Sequence, residues 1–227
     1  MTEKSVLLDF DGTICHLFAR HDMSSARASL LSLVNAAGLE APKDLDPFDY
    51  WSWIGAQVHG AQAARLFEEV GRIVVHAELE AVESADLIPG IEDFIDGLVE
   101  GGTPFAVVTN NSPLVVQRFA QMRMPKLRDV PVVGRDALRP DLMKPSPHSI
   151  AKALALLGRG PDEAYLIGDS ISDLEAATAA GCEFVAMGST PEKYRRLASR
   201  WPSEGIVRDF DELTNRWRRG AIQAAPR

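Results

Sequence analysis

The chain has 227 residues, 46% of them hydrophobic and 25% charged, with a formal net charge of −8. That length fits one large domain, or a main domain with a smaller companion, and buries enough surface to fold without disulfides or a structural metal. The acidic balance argues against a nucleic-acid partner, which needs a basic surface to displace counterions, and no apolar run approaches the roughly 20 residues of a membrane span.

The first strand is predicted at Val6-Leu7-Leu8, which Asp9 ends. This apolar run is too short for a signal-peptide core. Cys15 and Cys182 have no metal-ligand spacing and read as reduced thiols, so a cytoplasmic protein is expected. Residues 15–87 contain no convincing strand and read as helices. Ser24 or Ser25 could cap a helix running to Gly38, and Pro42 to Pro47 reads as a turn. Over 61–83, Phe67, Val70, Val74, Ala77 and Ala81 recur at 3-4-3-4 spacing and form one amphipathic face. Within this block, His16, Arg20 and His21 lie where the chain leaves the first strand and could line an entrance. Trp51 and Trp53, two apart, cannot share a helix face and are expected to pack within the block.

After Pro89-Gly90 a helical stripe follows at Ile91, Phe94, Ile95 and Leu98. Phe105 to Val108 then runs into Thr109, and Val130 to Val133 into Gly134. A second stripe, Ile150, Ala153, Leu154 and Leu157, closes at Gly158. Tyr165 to Ile167 runs into Gly168, a third stripe at Leu174, Ala177 and Ala180 closes at Gly181, and Phe184 to Met187 runs into Gly188. Nearly continuous aliphatic runs suit strands buried on both faces of a parallel sheet, and glycine suits a helix end. Alternating strands and helices predict an α/β fold, a Rossmann-like parallel sheet core flanked by helices with right-handed crossovers. The helical block predicts a small all-helical cap domain. The expected division is a core of residues 1–15 and 88–219, a cap of 16–87 and a flexible tail of 220–227.

Ligands of open α/β sheets bind at the carboxyl ends of the strands. Asp9 with Asp11, Thr109 with Asn110, and Asp169 with Asp173 should therefore gather at one edge, joined by Lys144 from a loop. Two carboxylates ~4 Å apart repel by about 4 kcal/mol at an effective dielectric of 20. Four aspartates against one lysine call for a hard dication, and oxygen-only ligands suit Mg²⁺.

Four segments in this order resemble the motifs of the haloacid dehalogenase superfamily: Asp9-Phe10-Asp11-Gly12-Thr13, Thr109 after Val107-Val108, Lys144 in Lys144-Pro145-Ser146-Pro147, and Gly168-Asp169-Ser170-Ile171-Ser172-Asp173. The helical block lies where many members insert a cap. The resemblance implies that Asp9 attacks phosphorus and that Asp11 serves as acid and then base. It also implies that Thr109 and the Asn110 N–H hold phosphoryl oxygens while Lys144 neutralises charge. Mg²⁺ would be bound by Asp9, Asp169 and the main-chain carbonyl of Asp11. Asp173 would reach the metal through water or brace Lys144. Dehalogenating members lack an aspartate at the position of Asp11, so phosphate chemistry is favoured. Departing from many capped members, the chain has no acidic residue in Ile14-Cys15-His16-Leu17.

The implied activity is hydrolysis of a small phosphorylated metabolite, such as a sugar phosphate, a nucleotide or a phosphoglycolate-like acid. A phosphomutase, or a non-catalytic binding or regulatory module, are the alternatives on the same scaffold.

Overall fold

The computed structural model describes residues 4–218, so the tail expected at 220–227 lies outside the described residues. In chain order the elements are β1 (Ser5–Leu8), β2 (Cys15–His16), α1 (Ser24–Ala36), α2 (Tyr50–Gln57), α3 (Gly60–Ala81), β3 (Asp86–Leu87), α4 (Ile91–Glu100), β4 (Phe105–Val108), α5 (Pro113–Met122), β5 (Val132–Val133), α6 (His148–Leu157), β6 (Ala164–Gly168), α7 (Ile171–Ala180), β7 (Glu183–Met187), α8 (Pro191–Ala198), β8 (Ile206–Val207) and α9 (Phe210–Arg218).

Six strands form one parallel sheet in the order β5-β4-β1-β6-β7-β8. Strand order reverses direction at β1, where β4 lies on one side and β6 on the other. The carboxyl ends of β1 and β6 therefore open onto the crevice where such sheets bind ligands. Successive side chains of β1 face opposite sides. Val6 and Leu8 join one buried cluster with Phe94, Val116, Phe119 and Phe210, whereas Leu7 joins another with Ala106, Ile150, Leu166 and Ala177. Leu7 is fully buried, and truncating such a residue to Ala typically costs about 2–5 kcal/mol. This double burial explains why the strands read as unbroken aliphatic runs.

The helical insertion between β1 and α4 has its own core, in which Leu30, Val34, Trp51, Ile54, Leu66 and Val70 pack together. The long helix α3 belongs to both regions. Val70 and Val74 lie in the insertion's cluster, and Ala81 lies in the sheet's. Its buried stripe is centred on Leu66, Val70, Val74 and Ala77, with Phe67 half-buried at its edge.

Two expectations need correction. Residues 15–87 do contain strands: Cys15–His16 pairs antiparallel with Asp86–Leu87 where the chain enters and leaves the insertion. Two-residue strands are too short to show alternation, and their pairing joins segments 70 residues apart. Neither Ser24 nor Ser25 caps α1. The helix starts at Ser24, whose N–H donates to Asp22 Oδ1 at 2.9 Å. No helix among the described residues is long and apolar enough to cross a membrane.

Candidate active site

Asp9 follows β1 directly, and its backbone N–H donates to Ile167 O at 2.9 Å, so the paired strand β6 fixes its position. The Asp9 side chain is 8% exposed. Lys144 Nζ donates to Asp9 Oδ1 at 2.6 Å and to Val108 O at 3.1 Å, and it is also ion-paired with Asp173. The backbone of Lys144 is held as well. Its N–H donates to Asn110 Oδ1 at 2.8 Å, and Asn110 Nδ2 donates to Lys144 O at 3.0 Å. The loop after β4 thus fixes a lysine that belongs to a different loop. Burial alone would lower the Lys144 pKa, but the charges of Asp173 and Asp9 outweigh it, so the ammonium stays charged.

Asp173 has two tasks. Its Oδ1 meets Lys144, while its Oδ2 accepts from the backbone N–H of Ser170 at 3.1 Å and from the Ser170 hydroxyl. The Ser170 N–H bond, together with the Asp173 N–H donating to Ser170 Oγ at 3.2 Å, closes a capping box at the start of α7. A Cβ on Gly168 would come within 2.6 Å of Asp173, so glycine there lets the helix's first turn approach the strand end.

The loop after Asp9 turns at Gly12, where φ is +93°, a conformation that glycine adopts without strain. Asp11 Oδ1 accepts from Leu17 N–H at 2.8 Å. Burial pushes Asp11 up to about 6, against the lowering effects of the Leu17 N–H and Lys193. Burial likewise raises Asp9 to about 7, offset by Lys144 and reinforced by Asp173 and Asp169. Asp169 rises to about 6 for the same reason, moderated by Lys193. Crowded buried carboxylates without enough positive charge take up protons.

Asp9, Asp169 and Asp173 can each direct an oxygen so that the three lie within 4.8 Å of one another. An all-oxygen, anionic donor set of this kind fits a hard divalent cation. Thr109 is 2% exposed. Its hydroxyl donates to Asn111 Oδ1 at 2.8 Å and accepts from the Asn111 N–H at 3.0 Å. Beside Lys144 and Asn110 lies a cavity of about 610 Å³, lined from the insertion by Asp49, Trp51 and Phe67 and from α8 by Arg196.

The other predicted residues lie in the insertion or at its edge. Arg20 pairs with Asp86 at 2.7 Å, and His21 lies 3.9 Å from Glu80, both at the insertion's surface. Trp51 is fully buried and its Nε1–H donates to Ala137 O at 3.0 Å, whereas Trp53 packs edge-on against Tyr50. Cys15 is buried, and burial pushes its thiol well above the ordinary range, which suits a packing residue.

Sequence reasoning missed two groups. Lys193, in the first turn of α8, is ion-paired with Asp169. Its signal was position, since it follows the strand end at Gly188 just as the other site residues follow theirs. Glu78 and Arg135 form a buried pair beneath the insertion, with Arg135 Nη2 donating to Glu78 Oε2 at 2.9 Å. Glu78 also accepts from Asn111 Nδ2 at 2.9 Å, and Arg135 donates to Asn110 O at 2.7 Å. Its signal was a carboxylate on the apolar stripe of α3, beside Val74, Ala77 and Ala81.

Residues 3–181 match the haloacid dehalogenase-like hydrolases, a span that contains Asp9, Asp11, Thr109, Lys144, Asp169 and Asp173. The chain belongs to that family. It is a hydrolase of the family's phosphatase type. It is 28% identical over 230 residues to a phosphoglycolate phosphatase of Chromobacterium violaceum, covering 93% of this chain and 97% of the relative. It is also 28% identical over 196 residues to a phosphoglycolate phosphatase of Pseudomonas putida, covering 80% of this chain and 68% of that one. A crystal structure of a hydrolase from Pseudomonas syringae shares the fold, with a TM-score of 0.67, 17% identity and coverage of 96% and 99% of the two chains.

Proposed function

We propose that this hydrolase is a magnesium-dependent phosphatase that cleaves a small phosphorylated metabolite through an aspartyl-phosphate on Asp9. The observation that carries this reading is the fixing of Asp9 by Lys144 at the bottom of the crevice, beside a cavity large enough for a small metabolite.

In the first step an oxygen of Asp9 bonds to phosphorus as the bond to the leaving oxygen breaks, and Asp11 gives its proton to that oxygen. In the second, Asp11 takes a proton from water as the water oxygen attacks phosphorus, which frees Asp9 and releases phosphate. Burial lifts Asp11 to about 6, near enough to neutrality to give and take a proton. Lys144 holds Asp9 Oδ1, leaves the second oxygen for attack, and offsets charge on the transferring group. The Thr109 hydroxyl and the Asn110 N–H hold phosphoryl oxygens, with Thr109 exchanging its Asn111 acceptor for phosphate. Asp9, Asp169 and the Asp11 carbonyl would hold Mg²⁺, with Asp173 reaching it through water or bracing Lys144, and the ion would supply positive charge beside the phosphoryl group.

Residues 16–87 act as the cap over this cavity and keep bulk water from the reaction. The curated relatives make 2-phosphoglycolate the first substrate to try, and Arg196 in the cavity wall offers a cation for a carboxylate. Two buried free thiols suit a reducing compartment, the cytoplasm.

Phosphate release from 4-nitrophenyl phosphate and from a panel of phosphorylated metabolites, with and without Mg²⁺, tests the reading. Mg²⁺-dependent release that Asp9→Asn abolishes in a folded protein supports it. Undiminished release by Asp9→Asn would overturn it.

A further inference from the structure

Lys193 stands where its helix disfavours it. Thr190 is the N-cap of α8 and its hydroxyl accepts from Lys193 N–H at 3.2 Å, which puts Lys193 at the third position of the helix. That position favours a carboxylate, and the positive end of the helix dipole repels a cation there. The side chain nevertheless turns inward and ion-pairs with Asp169. It packs so closely on the first-motif loop that a Cβ on Gly12 would lie 2.0 Å from Nζ and 2.2 Å from Asp169 Oδ2. The same loop meets α8's approach again, where Ser189 Oγ donates to Gly12 O at 3.3 Å.

Other charges around the ammonium are almost all negative. Asp169 is nearest, and Asp11 and Asp9 add to its field. Lys144, the other lysine of the site, is committed to Asp9 and Asp173. Asp169 therefore has Lys193 as its cationic partner. The two lysines also differ in freedom: the Lys144 side chain is 3% exposed and that of Lys193 is 30% exposed. Lys193 reaches inward from a surface helix and has solvent to return to.

We infer that Lys193 is the protein's internal stand-in for the divalent cation, neutralising Asp169 in the metal-free protein and leaving it for solvent when metal binds. The inference rests on the proposed Mg²⁺ site and adds a competitor to it. Apparent metal affinity is then reduced by the fraction of molecules in which the ammonium has vacated Asp169. A pair occupied about nine-tenths of the time weakens binding about tenfold. In return, the buried carboxylate is seldom left unpaired, a state that is strongly destabilising.

The test uses the full chain stripped with a chelator, Mn²⁺ as probe, and binding followed by calorimetry and by electron paramagnetic resonance. Lys193→Met should bind Mn²⁺ about tenfold more tightly than the parent protein. Lys193→Gln, which keeps a hydrogen-bond donor, is the second variant should methionine fail to fold. Arg195→Met removes one exposed charge from the same helix and should change affinity less than about twofold. Thermal melting separates competition from a mere effect of charge. Without metal Lys193→Met should melt below the parent protein, and in saturating Mn²⁺ the deficit should vanish, because Asp169 then holds the metal in both and residue 193 in neither. Unchanged or weaker Mn²⁺ binding, or a deficit that persists at saturation, would overturn the inference while leaving the metal site standing. If neither folded protein binds Mn²⁺, the metal site and the stand-in both fall.

Discussion

Among the described residues two buried ionic assemblies stand out, and they behave in opposite ways. Beneath the insertion, Glu78 and Arg135 match one to one, with side chains 0% and 1% exposed. The two terminal guanidinium nitrogens donate to one carboxylate oxygen each, Asn111 and Ser112 supply further donors, and Arg135 stacks 4.7 Å from Trp51. At the strand ends, Asp9, Asp11, Asp169 and Asp173 outnumber Lys144 and Lys193, and the cluster opens toward a cavity. Burial raises carboxylate pKa values at the strand ends, and the excess negative charge gives that region a need that a ligand can meet. A satisfied buried pair is a joint; an unbalanced one beside space is a site. The joint also serves the site, because Arg135 and Glu78 hold the Asn110–Ser112 loop, and Asn110 holds Lys144.

The largest contrast is expected at Asp9. Asp9→Asn should lower phosphate release by about a thousandfold or more while leaving the melting temperature equal or higher, since it removes one charge from the crowded cluster. A large loss of stability would show the cluster to be a joint after all.

Glu78→Ala should do the reverse. It leaves Arg135 buried and unpaired, at a cost of about 3–5 kcal/mol in urea unfolding. Replacing both partners, as Glu78→Met with Arg135→Met, should recover most of that cost, since apolar side chains of similar size often substitute for a buried pair. Failure to recover would mean that the contacts to Asn110, Asn111 and Ser112 matter more than the pair itself.

Gly12→Ala sits between the two. Its Cβ would fall on Lys193 and Asp169, and its φ of +93° strains any other residue. We expect a loss of roughly 1–3 kcal/mol, with the crowding against Lys193 relieved by Lys193→Ala and the crowding against Asp169 and the backbone strain retained.

An effect of similar size is electrostatic. Burial lifts Asp11 to about 6 in the folded protein, above the ordinary aspartate value of 3.8, so metal-free protein loses stability as pH rises through that window and the penalty is complete above it. Asp11→Asn removes the penalty while its side-chain carbonyl can still accept from Leu17. The variant should gain on the order of 1–3 kcal/mol over the parent protein at pH 8 relative to pH 4, measured by urea unfolding in chelator.

The division between the two assemblies also marks what the sequence could reveal. Strands buried on both faces appear as unbroken aliphatic runs, so β1, β4, β6 and β7 were legible, and their ends placed Asp9, Thr109 and Asp169 on one edge. The edge strand β8 and the β2–β3 ribbon have two residues each, too few for any period to register. Lys193 was hidden because a lysine at a helix start reads as a solvated charge until the loop from Gly188 is seen to turn it inward. The Glu78–Arg135 joint depends on residues 57 apart, a pairing that no local pattern encodes. Thr109 was legible as a strand end, but its engagement with Asn111 was not, because that bond depends on the path of the loop.

The central claim is that Asp9 carries the phosphoryl group. Asp11→Asn offers a direct view of it with 4-nitrophenyl phosphate, whose leaving group needs no proton, because the first step can proceed while the second lacks its base. Acid quench, proteolysis and mass spectrometry should then find the peptide containing Asp9 heavier by one phosphoryl group, with far less of it in Asp9→Asn with Asp11→Asn. Turnover of the ester by the parent protein with no phosphoryl adduct on Asp9 in the Asp11→Asn variant would contradict the account.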